Sequence, residues 1–426
     1  MAGKTSVLGI NGLGRIGKLT LWHHLAHRTF GRIVVNVGRE AGQSLKDVAD
    51  YIGRDSTYGS LRGYLHGFRD HEVFSDLDEA AGTMRIDGTE VTVLRRSRNP
   101  RELDWARHGA ELVVDATGKF LDPIVDVDHP KGSVRGHLEA GARTVIASAP
   151  FKMKDKAAPW PEDAVTAIKG INECDYDPAR HRIVSAASCT TTCLAHMMKP
   201  LLDVIGAKRI LTASMATVHA ATGSQEVLDR LADKGARDLR KNRSTFNNII
   251  LTTTGAATTL ALVLPAMKQI GFMAESVRVP TVTGSLIILA VNIQEEDGVK
   301  PLNKEAIKGI YREAAQKDPN RYLVYTDDQN VSADIVSYPR AGAIIEGHEI
   351  HTRTAEITFD ASRIMGIKKE YLEDLKELTI QVPVTQTVVY GWYDNELGGY
   401  VHMLGELTKY ILEHRETQNP ACSTGA

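Results

Sequence analysis

The segment that most restricts this chain is Gly12-Leu13-Gly14-Arg15-Ile16-Gly17, a G-x-G-x-x-G lying directly after an apolar run and directly before a helical pattern. Ser6–Asn11 (SVLGIN) reads as a short buried strand and Lys18–His27 as the body of a helix. In that setting Gly12 permits a tight turn and Gly14 lets the backbone approach a pyrophosphate. Gly17 lets helix and strand pack closely, and the helix N-terminus faces the anion. Such a turn belongs to a strand–turn–helix unit, and more units follow. Arg32–Val37, Glu90–Leu94, Glu111–Ala116 and Thr144–Ser148 are strand-like runs near Gly or Pro breaks. Strands separated by helical patterns predict βαβ units and a mostly parallel, Rossmann-type α/β domain.

From about residue 183 the texture changes. Ile183–Ala187 reads as a strand and Thr190–Ile205 as a helix. The longer strands Arg209–Val218, Glu275–Arg278, Ser285–Asn292, Thr379–Val384 and Val388–Tyr393 follow, with fewer helices between them. This predicts an α+β catalytic domain with a mixed sheet. The expected division is 1–188 for the dinucleotide-binding domain, completed by a C-terminal helix over 396–416, and 189–395 for the second domain. Residues 417–426 are expected to be a frayed tail. Asp70–Gly82 and Ser337–His351 read as surface insertions. The 426 residues suffice for two or three cores.

Lys+Arg is 51 and Asp+Glu is 53, a net charge of −2, which argues against nucleic acid as the main partner. No apolar run reaches membrane-span length and no signal-peptide pattern opens the chain, so a cytoplasmic location is expected, with no membrane partner. The four cysteines, Cys174, Cys189, Cys193 and Cys422, form no CxxC pair. Neither a disulfide framework nor a metal site is therefore expected.

The ribose of a bound dinucleotide is normally read by an acid at the end of the second strand. Here that stretch is Val35-Asn36-Val37-Gly38-Arg39-Glu40. Gly38 brings no carboxylate, and Arg39 suits a 2′-phosphate by charge and by its planar fork. The alternative is a solvated Arg39 with Glu40 on the ribose.

Ser188-Cys189-Thr190-Thr191-Thr192-Cys193 lies between a strand and a helix. Cys189 then stands at the helix start, where N–H groups and the dipole favour a thiolate nucleophile. Cys193, one turn on, suits a small buried hydrophobe. His219 ends the next strand, within reach of Cys189 if the strands neighbour one another. It is then a base for the thiol; otherwise it is a structural histidine. Thr252-Thr253-Thr254-Gly255-Ala256-Ala257, together with Arg243, offers hydroxyls, N–H groups and a cation to a phosphate, or else simply a Thr-rich helix cap.

Taken together these motifs resemble phosphorylating glyceraldehyde-3-phosphate dehydrogenases of the bacterial and chloroplast type. NGLGRIG (11–17) is similar to the family's NGFGRIG, ASCTTTCLA (187–195) to ASCTTNCLA and ATVHAATGSQ (216–225) to TVHAYTNDQ. RDLRKNRSTFNNII (237–250) resembles the S-shaped loop, TTTGAA (252–257) resembles STGAA, RVPT (278–281) is identical, and WYDNELGGY (392–400) resembles WYDNEWGY. The resemblance implies oxidation of glyceraldehyde 3-phosphate with phosphorylation, using NAD or NADP, through a thiohemiacetal and thioester on Cys189 with His219 as base. It matches Ser188, Thr191, Thr254 and Gly255 to an inorganic-phosphate site, and Thr222 and Arg243 to a substrate-phosphate site. Arg15 and Ile16 match pyrophosphate contacts, and Thr117 and Ser148 the cofactor cleft. Asn395 matches the holder of the carboxamide and Tyr400 the aromatic beside the ring. A homotetramer is implied, and an erythrose-4-phosphate dehydrogenase or a non-catalytic paralogue are the competing readings. The chain departs from the pattern at Thr192 (usually Asn), Ser224 (usually Asp), Leu397 (usually Trp) and the extra Gly398. Lys234-Gly235-Ala236 lacks the Pro typical of strict NAD users, which with Gly38-Arg39 favours NADP.

Overall fold

The computed structural model describes residues 6–415, except 96, 224, 237, 337, 339, 365–367 and 374–376 and the side chain of 369. The tail expected over 417–426, Cys422 and the departure at Ser224 lie outside these residues.

The first half forms strands β1 (Val7–Asn11), β2 (Arg32–Asn36), β3 (Arg54–Asp55), β4 (Gly59–Ser60), β5 (Phe74–Asp78), β6 (Thr83–Ile86), β7 (Thr89–Leu94), β8 (Leu112–Asp115), β9 (Thr144–Ala147), β10 (Ala164–Thr166) and β11 (Ile183–Ser185). Nine of them make one sheet in the order β10-β11-β9-β8-β1-β2-β7-β6-β5. From β10 to β7 all neighbours are parallel, and β6 and β5 add an antiparallel edge. The reversal of strand order on either side of β1 opens a crevice at the carboxyl ends of the strands, where such sheets bind ligands. The expected insertion 70–82 contains β5, the exposed outer edge.

The second sheet contains β12 (Ile210–Ala220), β13 (Ile250–Thr252), β14 (Gly271–Val279), β15 (Ser285–Gln294), β16 (Leu323–Thr326), β17 (Ala343–Glu346), β18 (His351–Asp360) and β19 (Thr379–Tyr393). Its order is β13-β14-β12-β15-β19-β17-β16, with β18 also paired to β19. β12–β14 and β16–β17 are parallel and the other pairs antiparallel, so the sheet is mixed. Ser337–His351 is not a surface insertion throughout, because it contains the fully buried β17. Its Gly content masked an apolar run, AIIE, that pairs with β16 and β19. The exposed excursion comes next, as the long β18–β19 ladder.

The helix Arg15–His27 and the last helix, Tyr400–His414, share the first core: Leu19, Trp22 and Leu25 pack in the same cluster as Val401, Leu404 and Ile411. The helix Cys189–Ile205 belongs to the second core. Cys189 touches both cores. Cys174 is disulfide-bonded, contrary to the expectation from cysteine spacing. Spacing along the chain excludes local pairs only; a bridge depends on folding to bring both the Cα atoms and the Cβ directions of two cysteines into range.

The three glycines of the first turn differ as their roles require. Gly12 has φ +94, a left-handed conformation that side chains resist. A Cβ on Gly17 would sit 1.8 Å from the Gly12 carbonyl oxygen, whereas one on Gly14 would meet nothing within 4 Å. Gly14 is therefore the open face. Gly17→Ala is expected to destabilise the fold by about 1–3 kcal/mol or more and to weaken dinucleotide binding, whereas Gly14→Ala should leave Tm nearly unchanged. Thermal melts and cofactor titration of both variants check this.

Candidate active site and cofactor cleft

A cleft lies beside the first turn. Asn11, Gly12, Asn36, Val37, Gly38, Arg39, Arg98, Thr117, Lys119 and Phe120 line it. A buried chain of hydrogen bonds holds its floor. Asn36 donates to Asn11 Oδ1 at 2.8 Å, and Asn11 donates to Asp115 Oδ2 at 2.7 Å. Asp115 also accepts from Thr117 Oγ1 at 2.6 Å and meets His137 Nε2 at 2.9 Å. Those hydrogen bonds hold the Asp115 carboxyl below its ordinary range in spite of burial. The backbone N–H of Ser148 donates to Asp115 O at 2.9 Å, which places Ser148 at the same strand ends. Gly38 has φ +74 and donates its N–H to Asn36 Oδ1 at 3.0 Å. Arg39 faces the cleft, whereas Glu40 turns to Arg95, 3.7 Å away. Sequence reading missed Arg98 and Lys119, two further cations of the cleft, because each reaches it from a loop distant in sequence.

The side chain of Arg15 is held by two carboxylates. Its Nε lies 3.0 Å from Glu396 Oε1 and its Nη1 3.6 Å from Asp55 Oδ1. The side chain is thus engaged by carboxylates, and the open turn backbone is what remains for a pyrophosphate. Ile16 packs against the first core. Tyr58 joins this group by donating to Glu396 at 2.9 Å and also bonding Asp394. The first turn is in this way tied to the segment that carries Asn395.

At the junction of the two cores, Cys189 is the first residue of its helix and Ser188 is the N-cap, its hydroxyl accepting from the Thr191 N–H at 3.2 Å. The hydroxyls of Ser188 and Thr191 lie 2.9 Å apart. Ala187, just before, has φ +54, a conformation that costs a β-carbon residue energy and aims the helix start. Cys189 Sγ lies 3.6 Å from His219 Nε2. His219 Nδ1 lies 2.7 Å from the Ala220 carbonyl, an acceptor for a proton on Nδ1, while Nε2 faces the thiol. Arg278 Nη1 donates to the same carbonyl at 3.0 Å and also touches the imidazole.

Burial dominates the electrostatics of this pair. It pushes the Cys189 thiol up to about 11, against the lowering effects of Arg278 and of the Thr190 N–H. Burial, then Arg278, depresses His219 to about 3. The helix-start donor acts on the thiol in the expected direction, and burial acts against it. Cys193 is fully buried, with Sγ facing the carbonyls of Gly391 and Trp392.

Asn395 Nδ2 approaches the His219 ring at 3.2 Å, and Asn395 Oδ1 accepts from Ser285 Oγ at 2.9 Å. Tyr400 is buried and donates to Ala187 O at 3.2 Å. Leu397, where an aromatic was expected, is half-buried and packs on the first core. Tyr393 was missed by sequence reading. Its hydroxyl bridges Thr190 Oγ1 at 3.0 Å and Thr217 Oγ1 at 2.8 Å, linking the helix of Cys189 to the strand of His219. Arg278 was quoted within a motif but given no role. Only the parallel β12–β14 register, which sets His219 opposite Arg278, reveals its place.

The remaining phosphate candidates spread outward. Thr254 Oγ1 accepts from Ala256 N–H at 3.2 Å, and Gly255 is the N-cap of the helix Ala256–Val263. Thr222 donates through Oγ1 to Gln225 at 2.8 Å. Arg243 is exposed and pairs with Asp229 at 2.8 Å, so it is not drawn into the Cys189–His219 pair.

A doubly wound domain with an open glycine turn, joined to a mixed-sheet domain whose junction holds a Cys–His pair, defines an NAD(P)-binding oxidoreductase. Comparison with known proteins gives the family. Residues 6–123 match the model for "Glyceraldehyde 3-phosphate dehydrogenase, NAD binding domain", and residues 188–362 match that for its C-terminal domain. The chain is 34% identical over 408 residues to a glyceraldehyde-3-phosphate dehydrogenase of Streptomyces coelicolor, covering 95% of this chain and 98% of the relative. It is 32% identical over 408 residues to glyceraldehyde-3-phosphate dehydrogenase 2 of Streptomyces avermitilis, again covering 95% and 98%. With that of Geobacillus stearothermophilus it shares 32% over 405 residues, 95% of this chain and 97% of the relative. The chain belongs to the glyceraldehyde 3-phosphate dehydrogenase family.

Proposed function

We propose that Cys189 and His219 carry out the oxidative phosphorylation of glyceraldehyde 3-phosphate that belongs to this family. The observation carrying the assignment is the 3.6 Å contact between Cys189 Sγ and His219 Nε2 at the junction of the two cores. As Sγ bonds to the aldehyde carbon, its proton passes to Nε2 and then to the new oxygen, giving a thiohemiacetal. Bound NAD(P) supplies the acceptor for the hydride that leaves this carbon. His219 takes back the hydroxyl proton, so a thioester remains on Cys189. Inorganic phosphate attacks that carbon, the sulfur departs, and the proton on His219 returns to it. Asn395, beside the imidazole, orients both the ring and the carboxamide of the cofactor. A binding protein without catalysis needs no such pair. The four-carbon phosphate is the less favoured substrate.

Ser188, Thr191, Thr254 and Gly255 make the inorganic-phosphate site, and Thr222 and Arg243 contribute to the substrate-phosphate site. Arg278 is the half-buried cation nearest the pair and joins them. Arg278→Leu is expected to raise KM for the phosphorylated aldehyde more than tenfold, the loss of about 1.5–3 kcal/mol of charge-assisted hydrogen bonding. Because Arg278 also bears on the Cys189–His219 pair, kcat should fall on both aldehydes, but KM should rise only for the phosphorylated one; steady-state kinetics on both substrates checks this. An equal change in KM for the two aldehydes would remove Arg278 from the phosphate site.

NADP is the preferred cofactor in this reading. Arg39, Arg98 and Lys119 line the cleft, Gly38 offers no carboxylate, and Glu40 is turned away. Arg39→Ala is expected to lower kcat/KM for NADP about tenfold or more, as one charge-assisted contact is lost, with NAD nearly unaffected. Strict NAD use by the wild type would overturn this. Because Gly38 has positive φ, Gly38→Asp adds backbone strain to any cofactor effect, so the arginine variant is the cleaner test.

The assembly in this reading is a homotetramer. Leu231, Leu239, Phe246, Ile249, Leu251 and Met273 remain exposed along the S-shaped loop and the β13–β14 edge, an apolar surface suited to further copies of the chain. Among the described residues no helix is long and apolar enough to cross a membrane.

A further inference from the structure

Two helices of the first core carry polar residues that the reaction does not use. His23 and His27 stand four residues apart on the first helix, and His402 and Glu406 four apart on the last. That spacing sets each pair on one helix face. The two faces meet: one ligand atom from each of the four residues lies within 4.8 Å of all the others. The His23 and His27 rings stack with centroids 4.1 Å apart, and His402 lies 5.4 Å from His23. His23 and His402 are buried, Glu406 is half-buried, and His27 reaches solvent, which leaves a way in.

The surroundings of the cluster orient these donors. His27 Nδ1 donates to the His23 carbonyl at 2.8 Å, so Nε2 is the free nitrogen. Tyr322 donates to Glu406 Oε2 at 3.4 Å, which holds the carboxylate in place beside the imidazoles. Outer hydrogen bonds of this kind are what fix the ligands of protein metal sites. Position 405 is a glycine, and a Cβ there would lie 2.2 Å from His23 Nε2. The ring therefore occupies room that any other residue would fill. Arg340 acts electrostatically on both His23 and His402 and opposes a cation; the Glu406 carboxylate is the anionic donor of the cluster.

We propose that His23, His27, His402 and Glu406 bind a divalent transition ion of the zinc class through three nitrogens and one carboxylate oxygen. That donor set suits a four-coordinate borderline ion, with bonds of about 2.0–2.2 Å. Side-chain rotation closes the remaining distance. The ion clamps the last helix, which begins at Tyr400, to the first, which begins at the glycine turn. It therefore supports both ends of the cofactor site without touching substrate.

The test uses the full chain carrying Cys189→Ala, so that the active-site thiol does not take the metal. After chelator treatment it is titrated with Co²⁺ and, by calorimetry, with Zn²⁺. One equivalent is expected, with the visible absorption of four-coordinate cobalt and a Tm that rises with the logarithm of zinc concentration. His27→Ala and Glu406→Gln should each weaken binding at least tenfold. His27 is exposed, so His27→Ala remains folded and decides the matter by itself if Glu406→Gln does not fold. No stoichiometric binding overturns the proposal. So does binding that survives His27→Ala, or that disappears instead on His71→Ala in the surface cluster His66–His71–Asp87.

Discussion

Cys189→Ala is expected to lower kcat by roughly 10⁴-fold or more, the scale on which removing a covalent nucleophile acts. Tm and cofactor affinity should change little. The residue is half-buried at a helix start, so the side chain lost is small and the cleft residues from Asn11 to Phe120 are untouched. Cys193→Ala is the control. It removes a sulfur packed against the Gly391 and Trp392 carbonyls in the second core, so it should cost about 1 kcal/mol of stability while turnover continues. Turnover by Cys189→Ala at more than a small fraction of wild type would refute the covalent mechanism. Loss of activity in Cys193→Ala would show that the two sulfurs have been assigned the wrong roles.

The second large effect is at His219. His219→Asn is expected to lower kcat by about 10²–10⁴-fold, the usual value of a positioned base, with a much smaller change in substrate KM. The pH dependence follows from the local electrostatics. The thiol lies at about 11 and the imidazole at about 3. From pH 5 to 9 both partners are therefore neutral, His219 is always competent to accept a proton, and the thiolate fraction rises as pH rises. Alkylation of the free enzyme by iodoacetamide should accordingly climb steadily from pH 6 to 9. A plateau already reached near pH 6 would mean a resting thiolate–imidazolium pair. Alkylation unchanged in His219→Asn at neutral pH would leave the helix start and Arg278 as the only activators of Cys189.

The sequence alone determined those features that depend on neighbouring residues. The turn Gly12–Gly17 needs backbone freedom at one point and the absence of a side chain at another, and both requirements are local. The same holds for the parallel strands with their β-branched runs, for Cys189 behind its Ser188 cap, and for the split between a parallel and a mixed sheet. The tertiary structure decided what depends on pairing and burial between distant segments. It set His219 opposite Arg278 through strand register, engaged Arg15 with Asp55 and Glu396, and left Arg243 on the surface with Asp229. It buried β17 where the chain read as an insertion, bonded Cys174 in a disulfide, and brought Arg98 and Lys119 to the cleft of Arg39. The charge state of the Cys–His pair also belongs here. A helix start favours a thiolate wherever it stands, but whether desolvation overrides it depends on how completely the two cores close over the sulfur, and spacing along a chain does not record that.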